Sequence, residues 1–215
     1  MNQQVSMRKA IAILLGIFLV LSSVFIGVGS AFIWDKPVYK SQDDYELEVA
    51  QKNVEQYPSN ARLRVELGWV YLQRKRHDEA IREFENALKI DKDYTGAKLN
   101  LAIAKGEKGD LQEAKKILEE IKDKNKQNVD ARYLLGQIYK EEKQFEKAVE
   151  EFRFVLNANP GTVDYMYQIA HVYELQGNKE KAVAEYQKVL SYVPDYAPAK
   201  QALDRLQPTG GSGSK

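Results

Sequence analysis

Residues 129–162 read VDARYLLGQIYKEEKQFEKAVEEFRFVLNANPGT, and residues 163–196 read VDYMYQIAHVYELQGNKEKAVAEYQKVLSYVPDY. Set one above the other, the two stretches need no gap. Tyr139 falls on Tyr173, Ala148 on Ala182 and Pro160 on Pro194. Moving outward in steps of 34 residues, Leu67, Leu101, Leu135 and Ile169 form one column, and Gly68, Ala102, Gly136 and Ala170 a second. Ala80, Ala114, Ala148 and Ala182 form a third, and Phe84, Leu118, Phe152 and Tyr186 a fourth. Self-similarity at a fixed period of this size is the signature of a repeat architecture. Within each copy two runs carry apolar residues at three- and four-residue spacing, the pattern of an amphipathic helix. Polar turns divide them: RKRHD, KGD, EKQ and QGN.

The columns have a steric logic. Only Gly or Ala lets two helix backbones approach closely, and the large residues Phe84, Tyr139, Phe152, Tyr173 and Tyr186 fill the space beside the small ones. Pro58, Pro160 and Pro194 lie on the same lattice where a second helix ends, since proline breaks a helical run. Lys92 and Lys126 hold the equivalent places in the other copies.

At these residues the chain resembles the tetratricopeptide repeat family. The small-residue columns, the first-helix tyrosines (Tyr71, Tyr139, Tyr173) and the closing proline carry the resemblance. It covers four copies, 61–94, 95–128, 129–162 and 163–196. The chain departs from the family where Arg64, Lys98, Arg132 and Met166 replace an early aromatic, and where Lys105 replaces the tyrosine. The fold implied is all-α: a right-handed α-solenoid of four helix-turn-helix repeats. Residues 43–58 and 197–206 are expected as capping helices, because a solenoid needs polar-backed ends. The tail 207–215 is low in complexity and expected to be flexible.

Composition excludes much of the chemistry. The chain has 215 residues, no cysteine, two histidines, and 32 basic against 31 acidic side chains. Thiolate catalysis, disulfides and cysteine metal sites are ruled out, and a histidine metal centre has too few ligands. His171 and Glu174 share a helix face without a third ligand, and His77 is expected to be solvated in a turn. A net charge of +1 gives no case for nucleic acid. Gly106–Gly109 lacks phosphate-loop spacing. No enzyme activity and no cofactor are expected.

The even charge balance hides an asymmetry. From Ala10 to Trp34 no residue is charged, a run of 25. At about 1.5 Å per helical residue it spans the hydrocarbon core of a bilayer, with Trp34 placed for the interface. Residues 10–34 are therefore expected as a transmembrane signal anchor after a stub at 1–9, with a linker at 35–42. The alternative is a cleaved signal peptide ending near Gly29-Ser30-Ala31; the apolar run is longer than such a segment needs. Arg8 and Lys9 tie with Lys36 and Lys40. The α-amino group and the short stub then favour a cytoplasmic N-terminus and an extracytoplasmic repeat domain. Ser23, Gly27 and Ala31 stack on one face and would support weak self-association in the membrane.

In the resembling family the first helices line a concave groove that takes peptides. The resemblance carries this role to the second, fifth, sixth, ninth, twelfth and thirteenth places of each copy. Gly106, Glu107, Leu134, Lys140, Glu141 and Gln168 fall among these places. The expected groove residues are Val65, Trp69, Leu99, Asn100, Ile103, Tyr133, Gln137, Tyr167 and His171. Val65 and Trp69 stand where a carboxylate-capturing groove needs polar side chains, and only Asn100 suits one. An apolar and aromatic strip remains, matched to an apolar or amphipathic protein segment. The expectation is a membrane-tethered adaptor or scaffold in assembly of a membrane or envelope complex. The alternatives are a client receptor or holding factor, or a non-catalytic regulatory subunit of a membrane enzyme. Similar bacterial proteins serve in envelope assembly, secretion or pilus machinery, and cytochrome maturation.

Overall fold

The structure is a computed structural model that describes residues 42–207. The expected anchor, stub and signal-cleavage site, and all of the tail but Gln207, lie outside the described residues. Among the described residues there are ten α-helices and no strand, and no helix is long and apolar enough to cross a membrane. They are α1 (Gln42–Gln56), α2 (Ala61–Gln73), α3 (His77–Ile90), α4 (Thr95–Lys108) and α5 (Leu111–Lys124). Then come α6 (Val129–Glu141), α7 (Phe145–Ala158), α8 (Val163–Leu175), α9 (Lys179–Tyr192) and α10 (Ala197–Leu206). From α2 onward each helix packs on the next, and α4 also touches α2 and α6.

Each copy closes on one small-to-large pair. A Cβ on Gly68 would sit 2.6 Å from the Phe84 ring, and one on Gly136 2.7 Å from the Phe152 ring. Both rings are fully buried, as is Leu118, which has Ala102 rather than glycine at the matching place on its first helix. The glycines are thus the counterparts of the phenylalanines.

Successive copies are stitched at a constant interval. Gln51 donates to the Tyr71 hydroxyl (3.0 Å), the Tyr139 hydroxyl donates to Glu119 (3.2 Å), and Arg153 donates to the Tyr173 hydroxyl (3.1 Å). Every one of these bonds joins residues 20 apart in sequence. The first-helix tyrosine therefore reaches back to the second helix of the copy before it. Gln51 puts the last turns of α1 in that role for the first copy. At the other end Ala199 and Ala202 of α10 are fully buried, with Leu203 and Leu206 packed partly against the core.

The charged residues that replace the family's early aromatic have a bonding role of their own. Arg64 pairs with Glu83 at 2.9 Å and donates to the Pro58 carbonyl; Arg132 pairs with Glu151 at 2.6 Å and donates to the Lys126 carbonyl. Lys98 pairs with Glu120 at 2.6 Å. Each clamps a first helix to its own second helix. The arginine stem covers apolar surface while its head stays bonded.

The turns inside the copies share one backbone solution. Lys75, Gly109, Lys143 and Gly177, spaced 34 apart, all have positive φ (56°, 100°, 58° and 79°). A left-handed residue closes a helix by satisfying its last carbonyls, and a side chain there is strained. Lys143→Gly is expected to raise stability by about 0.5–1 kcal/mol, and Gly109→Ala to lower it by about 1 kcal/mol. Urea titration followed by helical circular dichroism checks both signs.

Candidate functional site

On α4, Ile103, Gly106 and Glu107 recur at three- and one-residue steps, and on α6 Leu134, Gln137 and Glu141 recur at three and four. Each trio therefore lies along one face of its helix. Between the two faces lies a cavity of about 270 Å3. Ala102, Leu118 and Ile138 form its apolar floor, and Leu111 of α5 joins them. All six face residues stand at places that the repeat register assigns to the groove. Leu111, from a second helix, was not expected there.

The cavity has a sequence cause. The first copy has Tyr71-Leu72 at the end of its first helix, and Leu72 is only 5% exposed. The second copy has Lys105-Gly106 at the same place. A Cβ on Gly106 would meet nothing closer than the Ala114 Cβ, at 4.0 Å. Removing a buried leucine-sized side chain without collapse leaves a void. Lys105, already visible in the sequence as the one missing tyrosine, marks the spot.

The other expected groove residues divide by what holds them. Trp69 is 44% exposed and is the most open large apolar residue among them. Val65, one turn earlier on α2, is half-buried. Neither lines the cavity. Leu99 and Asn100 are half-buried on α4, Leu99 against the core. Tyr133 packs its ring 5.8 Å from Phe152 and 5.5 Å from Tyr165, and its hydroxyl accepts from Gln137 at 2.8 Å. Tyr167 stacks on His171 at 5.9 Å and meets Tyr186 and Tyr196 at 5.6 and 5.7 Å. Both tyrosines thus belong partly to the core. Gln137 touches the cavity and Tyr133 alike, while Tyr167 and His171 form a separate pair on α8.

A lysine links the two groups. The Lys140 ammonium donates to the Gln137 side-chain carbonyl and, at 2.9 Å, to that of Gln168 on α8. Burial pulls its pKa below the ordinary lysine value, although Glu141 opposes this. His171 is likewise held below its usual pKa, first by burial and then by the Lys140 charge, against the pull of Glu174.

His77 is the first residue of α3 rather than a solvated turn residue. Its Nδ1 is buried without a hydrogen-bond partner, 3.7 Å from a Glu107 carboxylate oxygen. Among the described residues no group of three or more His, Asp or Glu side chains could hold a metal ion.

Solved structures share the fold. YrrB, described as a TPR protein with an unusual peptide-binding site, matches with a TM-score of 0.62 at 24% identity, over 75% of this chain and 83% of that one. MamA from Desulfovibrio magneticus matches at 0.65 and 14% identity, over 81% and 96%. A thermophilic TPR protein from Thermus thermophilus matches at 0.61 and 18%, over 77% and 90%. At these identities the likeness is one of fold. No curated protein matches. Residues 163–196 match the tetratricopeptide repeat. Residues 42–162, more than half of the chain, match the cytochrome c-type biogenesis protein H TPR domain. That match begins at the first residue of α1 and runs through the third helix pair, so the helix before the repeats is part of the shared unit. The chain belongs to the family of the cytochrome c-type biogenesis protein H TPR domain.

Proposed function

We propose that this chain is a membrane-tethered adaptor whose groove holds an apolar or amphipathic segment of a partner protein during assembly of a membrane or envelope complex. The observation that carries the reading is the open apolar cavity between α4 and α6, at places the repeat register assigns to the groove. The uncharged run 10–34 supports the tether. A tether confines the groove to two dimensions and raises the effective concentration of a membrane-bound partner, so modest contacts suffice. The free α-amino group and the short stub before that run support an extracytoplasmic repeat domain. The description of the family supports cytochrome c-type biogenesis as the assembly served.

A photo-crosslinking residue at position 69 or 103 of the full chain in its native membrane tests this, with Lys116 on the second-helix side as control. One stoichiometric membrane-protein partner captured at 69 and 103 but not at 116 is the expected result. Equal capture at 116 would remove the groove from the reading, and many unrelated clients would make the chain a receptor. Trp69→Ala is expected to weaken partner binding at least about tenfold, as loss of an exposed aromatic anchor does. Helicity stays unchanged, because that ring is not part of the core.

A further inference from the structure

The cavity between α4, α5 and α6 is apolar at its floor and acidic at its edge. Glu107 and Glu141 stand on its two sides. Neither carboxylate makes an ion pair with a lysine or arginine among the described residues; Glu141 acts on Lys140 only as a nearby charge. Lys108 is taken by Asp78 at 2.9 Å. The Lys140 ammonium is occupied by two glutamine carbonyls. Lys105 makes no ion pair among the described residues, and the nearest cation-forming group to Glu107 is His77, at 3.7 Å. Most other glutamates of the array that face a neighbouring helix are paired, as Glu83, Glu142, Glu151 and Glu174 show. Glu107 and Glu141 border the void without such a pair.

We propose that this cavity is the subsite for one large apolar side chain of the partner segment, and that Glu107 and Glu141 select a basic residue beside that side chain. The proposal rests on the groove reading above and sharpens it: the occupant is a cationic amphipathic segment, not merely an apolar one. At about 270 Å3 the cavity has room for one large side chain and stands at the lower edge of the roughly 300–1,000 Å3 range of small-molecule pockets. Two carboxylates at the mouth draw in a lysine or arginine and oppose an acidic neighbour.

The test uses the full chain and a labelled alanine-based helical peptide carrying one Leu, with Lys four residues on. Companion peptides carry Gln or Glu for the Lys, or Ala for the Leu. Fluorescence anisotropy is expected to rank affinity as Lys above Gln above Glu, and Leu above Ala. Glu107→Gln and Glu141→Gln are each expected to reduce the preference for Lys over Glu by up to about fivefold, and high salt to shrink it in the wild type. Gly106→Leu places in the second copy the side chain that the first copy has at Leu72, so it fills the void without breaking the helix. Its thermal midpoint should equal or exceed that of the wild type, since glycine is a poor interior helix residue. Its affinity for the Leu–Lys peptide should fall about thirtyfold.

A Glu peptide binding as tightly as the Lys peptide, a folded Gly106→Leu chain that binds unchanged, or no binding by any peptide would overturn the proposal. If Trp69→Ala weakens binding while Gly106→Leu and the glutamate variants do not, the groove stands and this subsite falls. If none of them changes binding, both fall.

Discussion

Phe152→Ala is expected to lower the unfolding free energy by about 3–5 kcal/mol, the range for emptying a well-packed aromatic site. Urea titration followed by far-ultraviolet circular dichroism reads the loss. The ring is fully buried, and the opposing residue, Gly136, has no side chain to fill its place. The same geometry makes a sharper statement about the pair. Gly136→Ala alone must push against a ring atom only 2.7 Å from the new Cβ, so it destabilises. With Phe152→Leu it recreates the combination that Ala102 and Leu118 form natively in the second copy. The double variant is therefore expected to be more stable than the sum of the two single losses allows. Strict additivity would show that the glycine serves some other purpose than receiving the ring.

Arg132→Ala carries the second-largest expected effect, about 3 kcal/mol. Its guanidinium bonds Glu151 at 2.6 Å, donates to the Lys126 carbonyl at 2.8 Å and lies 3.8 Å from the Phe154 ring centroid. Glu151 is only 5% exposed, and its other partner is Lys122 at 3.1 Å. Deleting the arginine leaves a nearly buried carboxylate with one partner instead of two. That, more than the lost bond, is the origin of the cost. Two comparisons check the argument by chemical denaturation. Arg64→Ala, whose partner Glu83 is less buried, should cost clearly less. Adding Glu151→Leu to Arg132→Ala should recover part of the loss, because it removes the stranded charge.

The helix pairs and the small-to-large columns were legible in the sequence, because a period of 34 repeats steric demands that any one copy would leave ambiguous. Arg64 and Arg132 were legible only as departures. A position filled elsewhere by an aromatic gives no hint that the replacing guanidinium will find Glu83 or Glu151 on the next helix. Ion-pair partners depend on side-chain reach across a helix pair, which periodicity does not encode. Tyr133 and Tyr167 show the same limit from the other side. Their register places them on the groove, yet their rings spend much of their surface on Phe152, Tyr165, Tyr186 and Tyr196, so shared face does not mean free face. The cavity was half legible: Lys105 was visible as a missing tyrosine, but a void is made by what several helices fail to supply together. Leu111 entered the site from a second helix for that reason.

The interruption at Lys105 and Gly106 also bears on how the array holds together as a mechanical object. The hydroxyl tie that joins a first helix to the helix before it is present at Tyr71, Tyr139 and Tyr173, and position 105 has no hydroxyl to make it. The void lies one junction further on, where α4 and α5 meet α6 and where the tie from Tyr139 to Glu119 is in place. In a linear stack held by nearest-neighbour interfaces, cooperativity is lost first at the poorest one. Within one compact array, α4 thus lacks a hydroxyl tie on its α3 side and a filled contact on its α6 side. A side chain lodged in the void would supply the second of these and stiffen α4 against α6. Capture and stiffening are then a single event.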